Sequence, residues 1–409
     1  MGGGLLQLVA YGAQDIYLTG NPQMTFFKVV YRRHTNFAIE AIEQSYSGNA
    51  SIGNRISTII SRNGDLLGHI YLELHVNGLS DTSLPSIRRL GFKLVDYVEV
   101  EIGGQIIDKH YGIWMDIWNQ LSNSKEQRLK VNRLLDGELR NKNGQLGHIY
   151  VPLFFWFNQN PGLYLPLIAL QYHEVKLNIQ FNYNNVFPTS YDGADTMTID
   201  IEDLNIYCDY VFLDTDERRR FAQVSHEYLI EQVQFSNTSN VACSATGITN
   251  QVELHFNHPC KEMIWVLQSA LNNNTFYFGG DSDGSTDYVK SALLKLNGQD
   301  RFKEREGTYF RCVQPYQHHT GGDQQQQSSA TIALDTENEE TGFIYVYSFS
   351  IKPEEHQPSG SCNFSRIDNS VLIVNTIDPT ATSLACRIYV VNYNVLRIMS
   401  GMGGLAYSN

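Results

Sequence analysis

Apolar and polar residues alternate in short runs along much of the chain. Ile70 to Val76 reads IYLELHV, a period-two pattern that sends successive side chains to opposite faces of a strand. Val98 to Ile102 (VEVEI) passes through Gly103-Gly104 into QIID, and Ala292 to Leu296 (ALLKL) passes through Asn297-Gly298 into QDRF. Both are two-residue hairpin signatures, because a tight hairpin turn needs positive φ at its central residues and Gly and Asn tolerate it. Helical periodicity is scarce. Trp114, Ile117, Trp118 and Leu121 fall at i, i+3, i+4 and i+7, which predicts an amphipathic helix. Ser124 with Gln127 resembles a capping box opening a second helix that carries Val131, Leu134 and Leu135. From Thr215, TDERRRFAQ sets acids in the first turn and arginines behind them, the order that suits a helix dipole.

The pattern occurs twice. IEQSYS at 42–47 echoes IEQVQFS at 230–236, and LGHIYLE at 67–73 resembles KEMIWVLQ at 261–268. The GGQ turn at 103–105 matches NGQ at 297–299, and IYCDYVFL at 206–213 resembles IYVVNYNVL at 388–396. Each match is weak alone, but four in one order at offsets of 182–194 residues indicate two copies of one fold. The predicted fold class is all-β, with two tandem eight-stranded antiparallel jelly-roll sandwiches and a few short helices in loops. The expected division is residues 1–214 for the N-terminal roll and its leading segment, 215–228 for a linker helix, and 229–409 for the C-terminal roll and tail.

Composition agrees with β structure. Of 409 residues, 24 are Tyr and 20 Phe, and charged residues make up 18%, below the ~25% of ordinary domains. The net charge of −13 argues against a nucleic-acid surface built on overall charge. The imbalance is uneven: residues 1–62 hold five basic and three acidic side chains, so they are +2 and the remainder carries −15. Six cysteines at wide, irregular gaps without a C-x-x-C are expected to be buried free thiols. MGGGLLQLVA lacks the basic start of a signal peptide, and Leu6 stands where a myristoylation signal wants Ser or Thr. No apolar run reaches 18 residues, so no transmembrane helix is expected.

Candidate chemistry is thin. Asp281, Asp283 and Asp287 evoke a calcium loop, but Gly284 falls at position 4 and Ala292 at position 12, so a solvated hairpin tip is the better reading. His255 and His258, and His318 and His319, read as structural, since Pro259 prevents a helical pair and the second pair borders a Gly/Gln-rich loop. Asp214, Asp216 and Glu217 neutralise the run Arg218, Arg219, Arg220. GMGG at 401–404 has no helix after it and reads as a flexible tail. Residues 281–287 and 318–342 read as long surface loops. No nucleophile elbow, zinc-protease, P-loop or dinucleotide motif is present, so neither an enzyme nor a cofactor is expected. Sequons stand at Asn49, Asn237, Asn273 and Asn363, candidates for glycosylation although nothing marks the chain for secretion.

Long strings resemble the major capsid proteins of nucleocytoplasmic large DNA viruses. Among them are QDIYLTGNPQMTFFKVVYRRHTNFAIE at 14–40, VEVEIGGQIIDKHYGIWMDIWNQL at 98–121, YVFLDTDERRRFAQVSHEYLIEQVQ at 210–234 and YNVLRIMSGMGGLAYSN at 393–409. The resemblance runs along the whole chain and departs from the family mainly in loops 281–290 and 318–341. It implies a double jelly roll that homotrimerises into a pseudo-hexagonal capsomer tiling an icosahedral shell. The implied location is the virion capsid, assembled in the host cytoplasm. Implied partners are further copies of the chain, minor capsid and penton proteins and an inner viral membrane at the base, with no direct nucleic acid. The variable loops would face outward. The N-terminal segment would lie at the base, with Phe26, Phe27, Tyr31 and Phe37 as aromatic anchors and Arg32 and Arg33 facing acidic partners or lipid. Two other classes compete: a double jelly-roll carbohydrate-binding module, and a two-domain glycan amidase or glycosidase, which would need a carboxylate or histidine cluster between the rolls.

Overall fold

The structure, a computed structural model, describes residues 3–77, 89–136, 148–184, 186–188, 196–269, 287–322, 343–377 and 383–407. Met1–Asn36 and Phe37–Asn409 are two separate compact units. The first holds the short helices Gly3–Val9 and Ile16–Thr19, neither with a buried residue.

The second unit opens with β1 (Phe37–Gln44), β2 (Arg55–Ile59), β3 (Leu66–Asn77), β4 (Val95–Ile102) and β5 (Gln105–Tyr111). Helices α1 (Gly112–Ser122) and α2 (Lys125–Asp136) follow, then β6 (His148–Pro152), β7 (Val175–Phe181) and β8 (Asp200–Leu213). These strands form two antiparallel sheets with the orders β1-β8-β3-β6 and β2-β7-β4-β5. After α3 (Thr215–Gln223) come β9 (His226–Ala242), β10 (Ile248–Glu253), β11 (Pro259–Ser269), β12 (Val289–Leu296) and β13 (Gln299–Asp300). A helical stretch spanning 309–318 precedes β14 (Ile344–Ser348), β15 (Ser370–Thr376), β16 (Ser383–Met399) and β17 (Met402–Leu405). Their sheet orders are β9-β16-β11-β14 and β10-β15-β12-β13. Adding eight to each strand label of the first roll reproduces the second, so the duplication read from the sequence is a duplication of topology. Short accessory strands such as Leu165–Pro166 and Cys362–Asn363 extend the sheet edges.

Both predicted hairpins form. Gly103 and Gly104 take φ of 58° and 87°, and Asn297 and Gly298 take 49° and 78°, the positive values that a two-residue turn demands. The repeat found the correct strands but not their residue register. Its offset of 194 sets Ile70 on Ile264, yet Ile70 points into the first roll while Ile264 points away from the second roll's interior. In a strand, a slip of one residue exchanges the faces, and a string match cannot detect that.

Burial explains why the two copies read differently. In the first roll, Ile70, Leu72 and Leu74 face the core, and Tyr71 and His75 on the other face are only half-buried. In the second, Met263, Trp265 and Leu267 line the roll's interior, while Ile264 and Val266 join the first roll's core from outside. A strand buried on both faces loses its alternation, hence the continuous MIWVL.

Several expectations need correction. The helix around Trp114 is not amphipathic in its setting: Asp116, Asn119 and Gln120 are buried along with its apolar face. It is wedged between the rolls, and its polar side is matched internally by Arg89 Nε at 2.9 Å from Asp116 and by the Gln120 amide donating to Asp116 at 2.8 Å. In α2, Val131 packs on the core and Leu135 is buried, but Leu134 is exposed. The capping box is present, Ser124 N–H donating to Gln127 Oε1 at 3.3 Å. In the expected linker helix 215–228, the helical part ends at Gln223 and β9 begins at His226. Arg218 is not neutralised by its helix neighbours alone, because it reaches buried Asp65 of the first roll at 2.9 Å. The GMGG tail is not free: β17 pairs with β16, and His173 Nδ1 lies 2.9 Å from Gly403 O. Asp287 is no solvated tip; Tyr345 donates its hydroxyl to it and Val289 N–H donates at 2.9 Å. Asp281 and Asp283 lie outside the described residues. All six cysteines are free thiols, but Cys312 is exposed on its helical turn and Cys362 is half-buried. The loop expected from His318 begins with a docked segment, since Gly321 N–H and Gly322 N–H donate to Leu121 O and Gln120 O at the end of α1.

Candidate assembly surfaces

The N-terminal residues singled out by the sequence belong to neither core. Phe26, Phe27 and Tyr31 are 86%, 97% and 86% exposed, and Val29 and Val30 beside them are exposed as well. Arg32 and Arg33 are exposed too. Phe37 opens β1 opposite Leu213 and is half-exposed. So dense a run of exposed apolar side chains is the composition of a contact surface.

The duplicated topology gives each roll an outer sheet face, and the two fare differently. On β9-β16-β11-β14 that face is covered by the first roll. Phe235 and Tyr389 stack at 4.8 Å, and Tyr111 and Trp114 of the β5–α1 segment approach Tyr389 at 6.3 and 5.5 Å. Gln232 donates to Ile107 O, and Val233 N–H donates to Asp108 Oδ1 at 3.1 Å. On β1-β8-β3-β6 the corresponding face carries Tyr71, Glu73, His75, His148, Tyr150 and Tyr207, none of which belongs to a hydrophobic core. Tyr71 and Tyr207 stack at 5.3 Å. The Tyr150 hydroxyl donates to Glu73 at 2.7 Å, which pushes its own pKa up to about 12. The second roll's counterpart of the β5–α1 segment, the stretch 309–318, holds Tyr316 at 87% exposure.

Charge is buried where the rolls meet. Lys261, fully buried, pairs with Glu231 at 2.6 Å and lies near the rings of Trp118 and Tyr393. His319 is clamped between Glu262 at 3.0 Å from Nε2 and Glu354 at 3.0 Å from Nδ1. Burial alone would lower the His319 pKa; the two carboxylates outweigh it and push it up to about 9. His319 thus has the structural role read from the sequence, while its partners Lys261, Glu262 and Glu354 carried no local signal. This polar cluster lies between the rolls, but its charges pair with one another and present no isolated acid or base.

Sequon residues Asn49, Asn237 and Asn363 are exposed. Asn363 accepts from Ser365 N–H at 3.0 Å, so its side chain caps a turn. Asn273 lies outside the described residues. Sequence reasoning passed over Glu73, His75 and His148, whose ligand atoms lie within 4.8 Å of one another. Alternation in IYLELHV sets the first two on one face, but His148 joins them only by strand pairing.

Two antiparallel jelly rolls of identical strand order, each with its own interior and packed together through the outer sheet face of the second, define the double jelly-roll class. The comparisons place the chain within it. Residues 25–214 match the model of the major capsid protein N-terminus, and residues 217–404 match that of the large eukaryotic DNA virus major capsid protein. The major capsid protein of Pyramimonas orientalis virus is 48% identical across the full length of both chains, and that of Paramecium bursaria Chlorella virus 1 is 44% identical, also full-length. A chain of the PBCV-1 virus capsid quasi-atomic model superposes with a TM-score of 0.78 at 39% identity, covering 94% of this chain and 100% of that one. The Faustovirus major capsid protein shares the fold at a TM-score of 0.70 and 11% identity, over 95% and 94% of the two chains. The chain belongs to the major capsid proteins of large eukaryotic DNA viruses. It is a structural component of the virion capsid, and its relatives are structural capsid proteins, not enzymes.

Proposed function

We propose that three copies close into a ring in which the open outer face of each first roll is covered by the second roll of the next copy. The observation that carries this reading is the unequal treatment of two equivalent faces. Within the chain, the β5–α1 segment of roll one covers the outer face of roll two. The equivalent segment of roll two, residues 309–318, has Tyr316 exposed, and the equivalent face of roll one is open with its stacked tyrosines. Repeating the internal contact between chains uses both. Six rolls then stand around one axis, and the trimer has a pseudo-hexagonal outline suited to tiling an icosahedral shell. The contact is heterologous, so closure depends on the rotation per roll being near 60°.

In the capsomer, residues 1–214 and 229–409 act as the two roll modules joined by α3, and the N-terminal unit is the base segment. Its exposed Phe26, Phe27 and Tyr31 engage minor capsid or penton proteins, while Arg32 and Arg33 face acidic partners or the inner membrane. Of the loops expected to face outward, 281–290 and 318–341, that role is kept only for the parts outside the described residues, since Val289 opens β12 and His319 to Gly322 are docked between the rolls, and glycans at Asn49, Asn237, Asn273 or Asn363 would decorate whichever of these sites the shell leaves open. Assembly takes place in the host cytoplasm, with no direct contact to nucleic acid.

Light scattering on purified protein tests the ring, with an expected mass near three times 46.5 kDa. Tyr316→Arg should shift the population towards monomer while leaving the circular dichroism spectrum unchanged. A monomeric wild type at high concentration, or a Tyr316→Arg variant that trimerises as well as wild type, would overturn the arrangement.

A further inference from the structure

We propose that Glu73, His75 and His148 form a binding site for a zinc-class divalent cation on the outer face of the first roll. Strand geometry builds the site. Glu73 and His75 are two apart on β3 and share a face, and β6 pairs in register so that His148 lies opposite His75 and Tyr150 opposite Glu73. One ligand atom from each of the three residues lies within 4.8 Å of the others.

Three observations point to a bound ion instead of a polar patch. His75 Nε2 is buried and has no hydrogen-bond partner among the described residues, an arrangement that water-free protein rarely tolerates. The His75 and His148 rings approach to 3.7 Å between centroids at 67° without a hydrogen bond between them among the described residues, and a shared cation gives that approach a cause. Glu73 is held from behind, Tyr150 donating to Oε1 at 2.7 Å and Asn205 donating to Oε2 at 3.3 Å, as ligating carboxylates are held in metal sites.

The donor set selects the ion. Two imidazoles and one carboxylate suit tetrahedral zinc, with bonds of roughly 2.0–2.2 Å and a fourth position left for water or another ligand. Calcium and magnesium call for about six or more oxygen ligands, which this face does not supply. Zinc ligands stand about 3.3 Å apart, so the present spacing must contract. His148, whose side chain is half-exposed, can turn from its 2.8 Å contact with Glu73 to make that adjustment. The bound ion then ties β3 to β6 at the open face of the sheet.

The test uses full-length, tag-free protein expressed in zinc-supplemented medium, so that metal is present while the chain folds and assembles. Elemental analysis after gel filtration should find about one zinc per chain in wild type, and about a tenth as much in His148→Gln and in His75→Gln. Protein expressed with cobalt should show the visible absorption of a tetrahedral ion, lost in both variants. Because His148 is half-exposed, His148→Gln should keep the wild-type melting profile in the presence of chelator, which separates lost binding from lost folding. Wild-type protein with essentially no zinc, or zinc retained equally by both variants, would overturn the proposal.

Discussion

Single side chains at the junction of the rolls set how the chain responds to pH. His319 sits between Glu262 and Glu354, and its pKa rises from the ordinary 6.5 to about 9. A group whose folded pKa is raised stabilises the fold fully below its unfolded pKa, and that contribution fades as pH climbs through the folded value. Stability should therefore fall between about pH 6.5 and 9, by at most roughly 3–4 kcal/mol, because each tenfold gain in proton affinity on folding is worth about 1.4 kcal/mol. Urea midpoints for wild type and His319→Gln at pH 6, 7.5 and 9 check this: the gap between them should be widest at pH 6 and should narrow by pH 9. Parallel curves would mean that the imidazolium contributes nothing. Lys261 obeys a related logic. Buried and paired with Glu231, it leaves an uncompensated carboxylate when removed, so Lys261→Met should cost about 3–5 kcal/mol, while the double replacement Lys261→Met with Glu231→Gln should cost less. A thermal unfolding cycle across the four proteins reads that difference.

At the scale of elements, the connections between strands matter as much as the strands. The β5–α1 segment fills the space between rolls, and residues 319–322 close over the end of α1. Gly321 is held there because any Cβ would lie 2.5–2.7 Å from the carbonyl oxygens of Asn123, Gln120 and Leu121. Gly321→Ala should destabilise the protein by about 1–3 kcal/mol, the usual range for overpacking, and should raise hydrogen exchange at the end of α1 first. Unchanged exchange there would show that the segment is not a clasp. Gly103 is under double constraint, with φ of 58° and the His173 ring occupying the space that a Cβ would need. These two glycines differ in legibility. Gly103 announces itself through the hairpin pattern, whereas Gly321 looks like any glycine in a polar loop, because its neighbours come from a helix two hundred residues earlier.

For the whole molecule, the separation of Met1–Asn36 from the two-roll body has a direct consequence. Deleting residues 1–36 should leave the body folded and able to form trimers, with a melting temperature within about 2–4 °C of wild type, because Phe37–Asn409 is a compact unit by itself. Shell assembly should fail in the same variant. Arg32→Glu with Arg33→Glu should reproduce the assembly defect without affecting trimers; equal damage to both would remove the base-segment reading. Assembly is scored by electron microscopy and trimer content by light scattering.

Sequence by itself determined the fold class, the duplication, both tight hairpins, the capped helix and the family. Those features depend on local rules: period-two alternation, positive φ at Gly and Asn, a cap three residues from its partner, and strings long enough to be specific. Only the tertiary structure decided which face of each strand is covered. The alternation in IYLELHV and the continuous MIWVL are legible, but whether a second sheet face meets solvent, the other roll or another chain is settled by packing between residues far apart in the chain. The same cause hid the junction charges and the Glu73, His75 and His148 cluster, since each joins residues from different strands. It also turned the expected flexible GMGG tail into a strand, because a glycine run gains order when a neighbouring strand edge and the first roll stand ready to receive it.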